Sequence, residues 1–262
     1  MRRRRVAGGV SAIVLALGLG GAAADPIGSL HCNDASEVSR AVGQKVTVTG
    51  TVTGQFSTAK TTRLYVQDRT GGVCIYGTPR NCAALGDSLR VTGRVASQGG
   101  LTQIIGDRTT PLEIEPLGRG TGHVIALALT VDEIRDTEQP YGCEPNESRL
   151  VLVRDVVIRT ANGGFPAPGL KFTVDTSYRL AHAAADSATN WVIMRVTGTA
   201  ACDATQTLVG QPVPIRPVQV TGVLSQLTGR SQTQGGYQIL PRTRADVGPG
   251  IGDYRDVPPP NR

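Results

Sequence analysis

Two stretches of the sequence nearly repeat one another: "SLRVTGRVASQ" from Ser88 and "PVQVTGVLSQ" from Pro217. Each alternates apolar and polar residues with a period of two, the pattern of a half-buried strand. Each also carries the tripeptide VTG, and a glycine such as Gly93 inside a strand marks a bend. A bent strand that occurs twice, in a chain with 33 glycines and only 10 aromatic residues (Trp 1, Tyr 6, Phe 3), implies short strands, many turns and two similar units.

The first unit follows from its alternation. "KVTVTGTVTGQF" from Lys45 places Val46, Val48 and Val52 on one face, with Gly50 as a bend. "RLYVQDRTGGVCIYG", Arg63 to Gly77, reads as a hairpin closed by Gly71-Gly72. Leu64 and Val66 share its inner face with Val73 and Ile75, leaving Arg63, Tyr65, Cys74 and Tyr76 outside. The excursion "TPRNCAAL" leads into the strand around Gly93, and "GGLTQIIGDR" turns into a fifth strand. Five bent strands with the longer excursion between the third and fourth describe an OB-fold, a five-stranded Greek-key barrel.

The second unit repeats the order with longer loops: "SRLVLVRDVVIRT", "GLKFTVD", "NWVIMRVTG", "RPVQVTGVLSQL" and "GGYQILPRTRADV". A short amphipathic helix is expected before each barrel, in "DASEVSRAV" and "LTVDEIRD". The fold class is therefore all-β, two tandem OB-fold barrels each preceded by a short helix. The domains are 30–116 and 129–247, with 117–128 as linker around "PLGRGTGH" and 248–262 as a disordered Pro/Gly-rich tail.

Residues 1–24 read as a signal peptide: "MRRRR" is the positive n-region, "VAGGVSAIVLALGLGG" the apolar core, and Ala22 to Ala24 the small residues for cleavage. An exported, periplasmic or extracellular protein is expected, beginning at Asp25 and with no membrane span after cleavage. Arg2 to Arg5 are four of the 27 Lys+Arg, so 23 then stand against 21 Asp+Glu and the net charge falls from +6 to +2. The high pI thus overstates any basic character, and only local clusters can attract a polyanion.

Five cysteines, Cys32, Cys74, Cys82, Cys143 and Cys202, are expected to form disulfides in an exported chain. The repeat pairs Cys143 with Cys202. In the first unit it pairs Cys32 with Cys82, and Cys74 with Cys82 is the equal alternative. None is spaced as CxxC, and His31, His123 and His182 are too few and too scattered for a zinc site, so no metal is expected.

"VTVTGTV", "LYVQDRTGGVCIYG" and "GDSLRVTGRV" in the first unit, with "VTGVLSQ" and "GGYQILPRTRADV" in the second, resemble OB-fold modules of bacterial extracytoplasmic proteins. Such modules occur in tandem or beside secreted nuclease and phosphatase domains. The resemblance covers most of residues 37–247 and leaves no room for a nuclease domain. It implies nucleic-acid binding as the commonest function.

No GxSxG, HExxH or Walker loop is present, so the expectation is a non-catalytic protein with no cofactor. Asp68 reads as a turn cap before Gly71. Single-stranded DNA or RNA needs cationic groups for phosphates and aromatic faces for bases. Phe56, Lys60, Arg63, Tyr65 and Tyr76 form one candidate set in the first unit; Arg230, Tyr237, Arg242 and Arg244 form another in the second. Trp191, opening a strand, reads as core or interdomain packing. The alternative function is an envelope adaptor that binds a protein partner or polysaccharide.

Overall fold

The computed structural model describes residues 24–35, 38–57, 62–78, 83–120, 124–135, 142–183, 190–197, 207–227 and 236–249. The signal peptide, apart from Ala24, and nearly all of the expected tail lie outside these residues. In the first barrel the strands are β1 (Lys45–Ser57), β2 (Thr62–Gln67), β3 (Gly72–Thr78), β4 (Asp87–Gln98), β5 (Leu101–Ile105) and β6 (Glu113–Arg119). Their order is β1-β2-β3-β5-β4-β6, and a β1–β4 pairing closes five of them into a barrel. β3 and β5 are parallel; the other neighbours are antiparallel. Val46, Val48, Val52, Leu64, Val66, Val73 and Ile75 fill the core, as their alternation requires.

The second barrel contains β7 (Leu127–Ala128), α1 (Val131–Arg135), β8 (Leu150–Arg159), β9 (Thr176–His182), β10 (Trp191–Val196), β11 (Val218–Gln226), β12 (Tyr237–Leu240) and β13 (Val247–Pro249). Its order, β13-β11-β12-β10-β9-β8-β7 with a closing β11–β8 pairing, repeats the order of all six strands of the first barrel and adds β7 beside β8. β10 and β12 are the parallel pair, as β3 and β5 are. The VTG repeat has a shared cause. A Cβ on Gly93 would lie 2.5 Å from Ile104 Cγ2, and one on Gly222 would lie 2.7 Å from Ile239 Cγ2, so strand four of each barrel must be bare where strand five crosses it. No helix among the described residues is long and apolar enough to cross a membrane.

Three expectations are corrected. "GLKFTVD" is not strand two. Residues 170–173 instead pair with the segment near Gln211 through Phe172 N–H to Gln211 O (2.9 Å) and Val213 N–H to Leu170 O (2.8 Å). Phe172 plugs the core at 1% exposure, the chain turns at Asp175 (φ 57°), and β9 begins at Thr176. Both stretches alternate, so periodicity could not choose between them. The helix expected at 34–42 is a set of turns among its described residues, 34–35 and 38–42, fixed by Asp34 N–H to Val38 O and an Asn33↔Ser39 bridge. The linker start at 117–119 belongs to β6, which pairs with β4 after β5 has turned away.

The barrels are packed against each other. Phe56, Tyr65, Cys74 and Leu101 of the first form one buried cluster with Val223 and Leu240 of the second. Tyr65 Oη and Ser225 Oγ share a hydrogen bond of 2.9 Å. Thr102 N–H donates to Glu147 Oε1 (2.7 Å) and Leu150 N–H to Gln67 Oε1 (2.9 Å). The contact is close enough that a Cβ on Gly72 would sit 2.1 Å from the Ser148 carbonyl oxygen. This seam explains why β2 is buried on almost every residue while β10 alternates between half-buried and buried. The outer face of β2 is covered; that of β10 is open.

Candidate functional site

The turn of the hairpin from Arg63 to Gly77 is held by Asp68. Asp68 Oδ1 accepts from Thr70 N–H, Thr70 Oγ1 and Gly71 N–H, and its Oδ2 accepts from Ile27 N–H. Burial alone would raise the Asp68 pKa, but these hydrogen bonds outweigh it and hold the carboxyl below its ordinary range. The carboxylate thus closes the turn and anchors the 3-10 turn Ile27–His31.

The expected ligand set of the first barrel is not an open surface. Tyr65 is fully buried and Phe56 is 5% exposed, packed edge to face at 5.8 Å inside the seam. Arg63 lies over the Tyr76 ring at 5.5 Å, both half-buried. Lys60 falls outside the described residues. Alternation separates Tyr65 from its own barrel's core, but the second barrel takes the place of solvent over it and over Phe56.

The second barrel's expected set is also dispersed. Tyr237 is buried and its hydroxyl donates to Glu144 Oε1 (2.6 Å). Arg242 is held by both oxygens of Asp246 and donates to Thr53 O of the first barrel (3.2 Å), which makes it part of the seam. Arg244 is exposed on the 3-10 turn Arg244–Asp246, and Arg230 falls outside the described residues.

The disulfide pairing is corrected as well. Cys143 is bonded to Cys32, not to Cys202, and Cys32 is therefore not bonded to Cys82. Cys74 is a free, buried residue of the seam, so Cys74–Cys82 falls too. The repeat logic placed each bridge within a unit; the bond instead ties the N-terminal segment to the segment entering β8, across 111 residues. Cys82 and Cys202 lie outside the described residues.

One sheet face of the second barrel remains open, and it is cationic and aromatic. Pairing places Arg159 of β8 opposite Arg179 of β9, Arg179 opposite Ile193 of β10, Ala181 opposite Trp191, and Ser177 opposite Arg195. All five positions on β8 and β10 or β9 that carry Arg159, Arg179, Trp191, Ile193 and Arg195 are half-buried, while Tyr178, Leu180, Val192 and Met194 between them enter the core. The Arg159 guanidinium lies 3.4 Å from the centroid of Phe165, a ring 66% exposed in the β8–β9 loop. The Arg179 guanidinium lies 4.2 Å from the centroid of Trp191. Arg195 reaches Asp175 at 3.8 Å.

Arg159 and Arg179 are like charges at directly opposed positions, which weakens a bare sheet. Neither pairs with a carboxylate among the described residues. The face thus offers two uncompensated guanidiniums between two rings. Trp191 could have been found from sequence as an outward residue at a strand start. Alternation along strands one and three also puts Arg159 and Arg195 on an outer face, but Arg179 joins them only because β9 is "TSYRLAH" rather than "GLKFTVD", and Phe165 lies in a loop that no periodicity places. No group of three or more His, Cys, Asp and Glu side chains among the described residues could hold a metal ion.

No family model matches the sequence, and no curated protein does. Among solved structures, an OBody, AM1L10, bound to hen egg-white lysozyme is 20% identical over 33% of this chain and 93% of that one, with a TM-score of 0.26. The p204 HINb domain is 21% identical over 36% of this chain and 47% of that one, with a TM-score of 0.29. A replication protein A heterotrimer bound to ssDNA is 13% identical over 82% of this chain and 67% of that one, with a TM-score of 0.26. The assignment of two OB-like barrels rests on their strand order.

Proposed function

We propose that this chain is an exported, non-catalytic protein that binds single-stranded nucleic acid on the outer face of β8, β9 and β10. The observation that carries the reading is the row Phe165, Arg159, Arg179, Trp191, in which each guanidinium lies on a ring and has no carboxylate partner among the described residues. A single strand supplies what this row is missing: phosphates between the two arginines and base faces for the rings. On the first barrel the second barrel covers Phe56, Tyr65, Cys74 and Leu101, leaving only the half-buried Arg63–Tyr76 pair among the described residues of that face. Export rests on the charged, apolar and small-residue segments of residues 1–24.

Trp191 is the sole tryptophan, so its fluorescence reports on this face directly. Oligonucleotide titration at two salt concentrations should quench it, with affinity falling as salt rises. Arg179→Ala should weaken binding to all sequences and flatten the log–log salt slope by about 0.7 for one lost phosphate contact. Trp191→Ala should cost roughly 1–3 kcal/mol of binding, read by anisotropy of a labelled strand. Salt-insensitive binding, or variants that bind like the parent, would sink the proposal and turn attention to envelope polysaccharide or a protein partner.

A further inference from the structure

The seam contains a chain of ionisable side chains that neither barrel needs for its own core. His31, in the 3-10 turn before the first barrel, is fully buried. Its Nε2–H donates to the Gly72 carbonyl on β3, and its Nδ1 faces Glu147 Oε1 at 3.6 Å. Glu147, also fully buried, lies in the segment entering β8, and its Oε1 accepts from Thr102 N–H of β5. Glu144, 5% exposed, accepts from the Tyr237 hydroxyl of β12 (2.6 Å) and sits one turn before Glu147, whose N–H donates to Glu144 O (3.2 Å). Two buried carboxyl groups thus share a single imidazole, and one His31 charge cannot balance both of them ionised, so the buried cluster is favoured while one carboxyl carries a proton.

We propose that the His31–Glu147–Glu144 cluster is a proton-operated latch: with the proton in place it holds the two barrels together, and losing it loosens the seam. The Cys32–Cys143 bond lies beside the latch, with Glu144 N–H donating to His31 O (2.8 Å), so it keeps the halves tethered and acts as the hinge. The other groups facing the cluster are Tyr237 from β12, Cys74 from β3, and Tyr65 and Arg63 from β2. Arg149, next along the chain, donates to Arg69 O. Arg63 reaches the cluster only through Cys74 and Tyr65, so no cation besides His31 meets the two carboxyls among the described residues.

The direction follows from two shifts of the same sign. Burial, then the neighbouring Glu147, raises the Glu144 carboxyl from 4.5 to about 7. Burial alone would lower the His31 imidazole, but Glu147, Gly72 and Glu144 outweigh it and raise it above 6.5. A group whose pKa is raised in the closed state stabilises that state fully below its open-state value, and the benefit fades as pH climbs through the closed-state value. The Glu144 contribution is thus lost between about 4.5 and 7, and the His31 contribution from 6.5 upward. Asp68, whose pKa is held low, is ionised throughout this window and does not mask the effect.

Amide exchange of the full chain with its disulfide intact tests the latch. Thr102 and Leu150 N–H donate across the seam, and amides inside β4 serve as the reference. After correction for intrinsic exchange, protection of the seam amides relative to β4 should fall at least about tenfold from pH 5 to pH 8, the effect of one pKa unit. Glu144→Gln keeps an acceptor for Tyr237 without a titrating proton, and its seam protection should lose the fall between about pH 4.5 and 7 and keep only the His31 part above 6.5. Should that variant not fold, Tyr237→Phe removes a hydrogen bond that favours the ionised carboxylate, and the transition should move to higher pH. A flat profile in the parent overturns the proposal. So does an unchanged slope in Glu144→Gln, or an unmoved transition in Tyr237→Phe.

Discussion

Tyr65 shows how one side chain's environment can reverse its role. Its position on the outer face of the hairpin is legible from alternation, and an outward tyrosine on an OB-type strand invites a ligand. The structure gives it zero exposure, a hydrogen bond to Ser225 and an edge contact with Phe56. Burial, with Cys74 alongside, raises its hydroxyl pKa well above the ordinary value, so it stays neutral in the seam. Tyr65→Ala should therefore cost roughly 3–5 kcal/mol of stability, as other large aromatic truncations do. Tyr65→Phe should cost about 1–3 kcal/mol, because Ser225 is itself fully buried and loses its partner. Urea denaturation measures both. If Tyr65→Ala unfolds at the parent's midpoint, the tyrosine does not sit in a packed seam.

The β8–β9 region shows the same at the scale of elements. Two neighbouring stretches alternate, "GLKFTVD" and "TSYRLAH", and only one can pair with β8. Pairing goes to the second, because the first serves as a loop that lowers Phe172 into the core, where it meets Tyr178 edge to face at 5.1 Å. This choice places Arg179 opposite Arg159 and creates the cationic face. Phe172→Ala should cost roughly 3–5 kcal/mol by opening a core cavity, a cost expected of a buried plug and not of a surface loop residue. A thermal or urea midpoint equal to the parent's would contradict that placement.

At the scale of the molecule, the two barrels are one packed unit. Their contact uses the face that the first barrel would otherwise offer to a ligand, and it is reinforced by the Cys32–Cys143 bond. In the chain-entropy picture a closure over 111 residues contributes about 5 kcal/mol. Cys143→Ser should lose up to about that amount and should increase exchange of the Thr102 and Leu150 amides before the barrels themselves open. Equal loss of protection in β4 and β11 cores at the same denaturant concentration would show instead that the bond serves both barrels globally.

The sequence by itself determined the two barrels, the hairpin with its inner row Leu64, Val66, Val73 and Ile75, the turn-closing role of Asp68, and the matched glycines of strand four. These are local: a period of two, a turn signal and a repeated tripeptide act over a few residues and leave a trace in order along the chain. What only the tertiary structure decided is which outer faces meet. Cys32 pairs with Cys143 and Tyr65 with Ser225 across separations of 111 and 160 residues. Alternation states that a side chain points away from its own core, but not whether water or a second barrel waits there. That was settled by the packing of Phe56, Tyr65, Cys74 and Leu101 on Val223 and Leu240, which buries one face and leaves Arg159, Arg179 and Trp191 open on the other.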